Sequence, residues 1–313
     1  MRRAVTVASV TLVLCLVATS AQAVLITPVK VIDPPGVQLE PFRNDAWVLF
    51  ASNAPSTPNH FDAFAEDPVT KARVKLNASG TQGSVGGFDP GTNTAIYWQT
   101  NGGPGTIWFY DLDAHTRTKV GGGVNSTGND YDPRISNTFI TFFRDFAAGG
   151  KKYHGVYVFD RAGSSLTKVA SYPSAWFLTN GSVGDQYATW TACADGSHCS
   201  AIVDNVDAGV LRKIPTVKNR PQYAPVVNEP EGRVYFMRSG FGCGVQVTFY
   251  SVSVTALGGT PKKIAALPKG FDTDDEMSVW PNPNTNAYDL QFIRVNCTGS
   301  TAIWSVPGVA PTI

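Results

Sequence analysis

The chain has 313 residues, with 25 lysines and arginines against 24 aspartates and glutamates, a formal net charge of +1. So even a balance offers no field to attract nucleic acid, an acidic substrate or an anionic membrane. Thirty glycines and 21 prolines, with no long stretch of helical periodicity, point to an all-β protein built from short strands and many turns.

The first 23 residues have the plan of a secretory signal. Arg2 and Arg3 precede an apolar stretch at 4–19, and Ala21-Gln22-Ala23 is a small-residue cleavage site. The apolar run falls short of the roughly 20 residues that cross a bilayer. The expectation is a signal peptide over 1–23 and a mature domain over 24–313 that is secreted or periplasmic, with no integral membrane span. Cys15 leaves with the signal, and Cys193, Cys199, Cys243 and Cys297 remain. An even number in an exported chain favours disulfides over thiols or metal.

From there the chain reads as six units of 40–50 residues. The first has Pro41 at its head, apolar runs at 46–51 and 61–65, and closes on Lys75-Leu76. The second is the most complete: a short strand at 87–90, then 94–99, a turn at NGGPG, 106–111 and 117–120. The third runs from Pro133 through 139–143 and 155–160 to Lys168-Val169. The fourth has Gly181-Ser182 where the others have proline, then 187–191, 200–205 and Lys213-Ile214. The fifth runs from Pro225 through 234–237 and 247–252 to Lys263-Ile264, and the sixth from Pro281 through 290–295 and 301–306. Repeats of this length signal propeller blades rather than a sandwich. Consecutive apolar positions in the second strands suit sheets covered on both faces. A Lys before an aliphatic residue suits an outer edge, where the charge discourages pairing with another chain.

The sixth unit has no fourth strand after Val306, only PGVAPTI, but Lys30-Val31 carries the outer-edge signature ahead of the first unit. The expected fold is therefore an all-β six-bladed propeller of four-stranded antiparallel blades, with residues 28–32 completing the last blade and closing the ring. A monomer is expected.

Phe88-Asp89-Pro90 through Trp98, and Tyr131-Asp132-Pro133 through Phe143, resemble the repeat of the TolB-like, PD40 (WD40-like) six-bladed propellers. The resemblance covers nearly the whole mature chain, although PGTNT, RISNT and NPNTN stand where that group has a Ser-Pro-Asp-Gly turn. It implies an exported scaffold that binds partners, and it carries no catalytic residue over.

In such a ring the second-to-third hairpins and the blade-to-blade loops share one face, here called the upper face. All four remaining cysteines fall on it. Cys193 and Cys199 flank one hairpin tip, and Cys243 and Cys297 occupy matching turns of adjacent blades, so these are the expected pairs. By chain entropy they would contribute about 2 and about 4 kcal/mol. A zinc site joining them to His198 is the alternative. Arg144, Lys152, Tyr153, His154, Trp176, Arg220 and Tyr223 gather on the upper loops of the third to fifth blades, in the mix of aromatic and cationic groups that dominates recognition surfaces.

Other groups invite chemistry less specifically. His60, His154 and His198 lack metal-ligand spacing and read as loop residues. The acidic run Asp272, Asp274, Asp275 and Glu276, placed in the loop leading to the sixth blade, would suit calcium but lacks the spacing of a known loop. No other cofactor is expected. Asp89, Asp130 and Asp132 lie near inner strands, within reach of the central channel. Asn77, Asn125, Asn180 and Asn296 begin Asn-x-Ser/Thr sequons. The sequence thus points to a non-catalytic exported propeller that binds a protein, peptide or glycan. The alternative is a carbohydrate-active hydrolase or lyase with carboxylates at the channel, which convergence of two or more carboxylates in one deep pocket would favour.

Overall fold

The computed structural model describes residues 26–33, 36–54, 56–126, 128–195, 197–217, 220–239, 246–268, 270–296, 298 and 300–311. Residues 1–23, expected to be a signal peptide, and Cys243 and Cys297, expected to pair, lie outside them. The described chain forms six four-stranded antiparallel sheets. Blade one holds β2 (Gln38–Arg43), β3 (Val48–Ala54), β4 (Thr57–Glu66) and β5 (Arg73–Lys75). Blade two holds β6 (Gln82–Phe88), β7 (Thr94–Thr100), β8 (Thr106–Asp111) and β9 (Thr116–Lys119). After the short β10 (Gly122–Asn125), blade three holds β11 (Asn129–Ile135), β12 (Phe139–Ala148), β13 (Lys151–Asp160) and β14 (Ser165–Pro173). Blade four holds β15 (Phe177–Val183), β16 (Tyr187–Cys193), β17 (Cys199–Asn205) and β18 (Val210–Lys213). Blade five holds β19 (Gln222–Asn228), β20 (Arg233–Arg238), β21 (Thr248–Ser253) and β22 (Lys262–Ala266). Blade six holds β23 (Phe271–Asn282), β24 (Ala287–Asn296), β25 (Thr301–Pro311) and, on its outer edge, β1 (Val29–Ile32). No helix long and apolar enough to cross a membrane occurs among the described residues.

All six Lys-aliphatic pairs begin in an outer strand, as expected. The aliphatic partner turns inward: Leu76 and Ile214 are wholly buried and Val120 and Ile264 nearly so. Six apolar clusters fill the spaces between neighbouring blades, one to each interface. Alternation on a doubly covered strand explains how. Phe142 packs toward blade two and its neighbour Phe143 toward blade four, so both positions must be apolar.

The inner strands differ from the sequence expectation in an instructive way. Each carries a bulge, at 39–42, 85–87, 131–134, 180–183, 223–226 and 273–277. Pro41, Pro133 and Pro225 sit in these bulges, where no ladder hydrogen bond is lost, and the preceding Glu40, Asp132 and Ala224 have positive φ of 56°, 50° and 47°. Pro90 does not head its unit; the strand is Gln82–Phe88 and Asp89-Pro90 follow it, in a turn closed by Asp89 N–H to Thr94 O at 2.8 Å. The acidic run is not a loop but the start of β23. PGVAPTI is not a tail: β25 continues through it to Pro311, opposite Ala287.

Candidate functional site

On the upper face the β12–β13 hairpin is paired to its tip, Ala148 opposite Lys151, and β14 pairs beside it as far as Tyr153 opposite Pro173. This ladder brings Lys152, Tyr153, His154 and Trp176 together. The Ser174 N–H donates to the Lys152 carbonyl at 3.1 Å and the Trp176 N–H to that of Pro173 at 2.9 Å. Tyr153 stacks on Phe146 at 5.5 Å, and Trp176 lies tilted against Tyr172 at 5.3 Å. The Lys168 ammonium lies 4.4 Å over Phe146, and Phe177 is 52% exposed.

Behind this edge His154 Nδ1 lies 2.6 Å from Asp145 Oδ1 and 2.9 Å from the Tyr131 hydroxyl, and its Nε2 3.1 Å from the Ser174 carbonyl. Asn129 donates to the other Asp145 oxygen at 2.8 Å and accepts from Gly105 N–H at 2.7 Å. Burial, with Asp145 beside it, raises the Tyr131 pKa. A hollow of about 350 Å³ opens next to this network between blades two and three, lined by Trp98, Thr100, Gly102, Gly103, Asn129 and Tyr131.

The other three anticipated residues are placed differently. Arg144 is buried below the face, its Nε and Nη2 on the two oxygens of Asp130 at 2.6 and 2.7 Å, with Phe142 and Tyr157 under its guanidinium. Tyr223 packs on the cluster between blades five and six, and Arg220 belongs to the connection before β19.

The channel holds what the sequence did not suggest. Arg134, 2% exposed along its side chain, uses five N–H groups. Nη1 donates to Asp132 Oδ1 (2.5 Å) and Pro133 O (2.8 Å), Nε to Gly181 O (3.1 Å), and Nη2 to Asn180 O (3.0 Å) and Glu276 Oε1 (3.2 Å). Its guanidinium lies 4.9 Å over Phe42. One side chain thus joins blades three, four, six and one. Burial works against its charge, but Asp132, Glu276 and Glu40 outweigh this and hold its pKa above the ordinary arginine range. Glu40, Asp132 and Glu276 bring ligand oxygens within 4.8 Å of one another, the one grouping with cation-site spacing among the described residues. Arg134 already supplies positive charge there. A faint signal was present: Glu40-Pro41 and Asp132-Pro133 repeat at a spacing of 92 residues.

Of the three anticipated channel aspartates, Asp132 lies among the inner strands beside Arg134 and Asp89 lines only the lower mouth. Asp130 is held by Arg144, and Asp89 by a bidentate pair with Arg161 at 2.7 and 2.9 Å on the lower face. Below Arg134 the channel opens into a cavity of about 960 Å³, lined mostly by blades six, one and two.

The histidines do not converge: His60, His154 and His198 each face their own aspartate, Asp62, Asp145 and Asp195. Cys193 and Cys199 form the expected disulfide, opposite one another on β16 and β17. Asn77 and Asn180 are 1% and 2% exposed, and their amide nitrogens donate to Asp62 and Asp132 respectively. Their sequons are therefore closed to a glycan in the folded protein.

No family model matches the chain, and no curated protein does. Solved structures do. TolB from Acinetobacter baumannii is similar with a TM-score of 0.50 at 14% identity, over 75% of this chain and 57% of that one. A prolyl endopeptidase is similar with a TM-score of 0.55 at 10% identity, over 88% of this chain and 42% of that one. An oligogalacturonate lyase in complex with manganese is similar with a TM-score of 0.52 at 10% identity, over 90% and 96%. The chain spans about half the length of the first two. Identities this low speak to the fold alone, and proteins of unlike activity share it. Blade count, strand order and these likenesses agree that the chain has the fold of the TolB-like six-bladed propellers.

Proposed function

We propose that the chain is an exported, non-catalytic propeller that binds a protein or peptide through the upper face of blade three. The observation that carries this reading is the fully paired β12–β13 hairpin, which offers the stacked rings of Phe146 and Tyr153 and the exposed Lys151 and Lys152, with the ring pair of Tyr172 and Trp176 beside it. Aromatic and cationic side chains on a rigid strand ladder lose little entropy on binding, which suits recognition. The Asp145–His154–Tyr131 network positions the hairpin, and Arg144 braces its base through Asp130. Export is supported by the amino-terminal segment and the Cys193–Cys199 bridge. The test is capture of partners from the extracytoplasmic fraction of the source cells by the purified propeller. Replacing Lys152, Tyr153 and Trp176 together with alanine is expected to abolish capture and leave the melting temperature nearly unchanged. Capture that survives the triple replacement overturns the reading.

One observation favours the carbohydrate-active alternative, the convergence of Glu40, Asp132 and Glu276. In that reading these carboxylates would carry the reaction, with Arg134 as their counter-ion. Turnover of a glycan by the purified protein, lost in Asp132→Asn, would establish it.

A further inference from the structure

We infer that the lower mouth of the channel is a second binding site, for a ligand with a single carboxylate on an apolar body. The cavity there, about 960 Å³, lies within the size range of small-molecule sites. Part of its wall is apolar, formed by Phe42, Phe88, Ile135, Val183, Val279 and Trp280.

Two cations line it, Arg43 and Arg134, and they differ in one respect. Arg134 has its N–H groups on protein acceptors. The half-buried Arg43 has, among the described residues, no side-chain hydrogen-bond acceptor and no carboxylate within ion-pair distance. Its guanidinium lies 3.9 Å over the Trp280 ring. Two buried donors on this wall, Arg43 Nε and the indole N–H of Trp280, find no acceptor among the described residues. Desolvation lowers the Arg43 pKa, opposed by the more distant charges of Asp289 and Asp45. A half-buried guanidinium left without an acceptor is costly, and a carboxylate matches its forked donors. Arg144 and Arg161 show the same chain meeting that need with Asp130 and Asp89.

The rim narrows the ligand class. Asp45, Asp111 and Asp113 stand at the mouth beside Asp89, whose charge Arg161 already meets, so a polyanion meets repulsion before it reaches Arg43, whereas one carboxylate carried in on an apolar body meets less. A small organic acid and the free end of a peptide share this chemistry. The site lies on the face opposite the blade-three hairpin and stands or falls independently of it.

The test is titration calorimetry of the purified propeller with 4-phenylbutyrate and with N-acetyl-leucyl-phenylalanine, each beside its amide. At least one acid is expected to bind and its amide to bind at least about tenfold more weakly, the discrimination expected of a charged hydrogen bond. Binding of the peptide acid alone identifies a peptide end as the ligand class, and binding of phenylbutyrate identifies small organic acids. Arg43→Gln is expected to erase the preference for acid over amide. Arg43→Lys, which keeps charge and loses the fork, is expected to reduce it, and it decides the matter if the glutamine variant does not fold. Absence of binding by both acids at about 1 mM, equal binding of acid and amide, or an unchanged preference in the variants overturns the inference.

Discussion

Lys30 of β1 stands opposite Trp304 of β25, so the first described strand hydrogen-bonds to the last. Among the described residues, the seam it closes buries Ile32, Val48, Phe50, Ile293 and Ile303. Just ahead of it Ile26 donates to the carbonyl of Ile264 on blade five at 3.1 Å. Deleting residues 24–32 exposes the edge of β25 and removes Ile32 from the seam. The expected loss is at least about 3 kcal/mol, read as a lower melting temperature. A truncated protein that melts with one that keeps residues 24–32 would show that closure contributes nothing.

Replacing Arg134 with methionine keeps much of the volume and removes the charge. Asp132 and Glu276 would then stay buried without their counter-ion, at an expected cost of about 3–5 kcal/mol. Chemical denaturation measures this directly. Arg134→Met, Asp132→Asn combined should recover part of the loss, because one stranded carboxylate is gone.

Asp204 is 2% exposed, and its Oδ2 is buried with no hydrogen-bond partner among the described residues. Burial raises its pKa. A carboxyl whose folded value lies above its unfolded value contributes full stability below the unfolded value, near 3.8, and loses it as pH rises through the folded value. Asp204→Asn is therefore expected to stabilise the protein at pH 7, by about 1–3 kcal/mol. The gain should shrink toward zero near pH 3. Melting curves of the two proteins across that range decide it.

Gly181 has no room for a side chain. A Cβ there would lie 1.9 Å from the Pro225 carbonyl oxygen and 2.5 Å from Thr189 Oγ1, whereas one on Gly121 meets nothing within 4 Å. Gly181→Ala should cost about 3 kcal/mol or more through forced backbone movement, and Gly121→Ala should fall within about 0.5 kcal/mol of the parent. Similar melting temperatures for the two variants would contradict the close approach of blades four and five.

The outer edges were legible because their signal is local: Lys75-Leu76 and its five counterparts put an edge lysine and an inward aliphatic residue side by side. The inner strands were harder. Proline marks the bulge at Pro41, Pro133 and Pro225 but the strand end at Pro281 and a turn at Pro90, because each of these places dispenses with an N–H. The meeting of Arg134 with Glu276 spans 142 residues and leaves no trace in either neighbourhood. Arg144 looked like a surface cation for a related reason. Its partner, Asp130, lies on the adjacent strand, and only the pairing of β11 with β12 places that carboxylate beside it. The vacancy of donors on Arg43 is a property of what surrounds it in space, which no spacing along the chain records.

The guanidinium of Arg134 is a shared anchor. By reaching from blade three to blades four and six while lying against a ring of blade one, and by lining the lower cavity, it puts one side chain in touch with four blades and with the space below them. A ligand filling that cavity would therefore bear on a group that four blades hold in common.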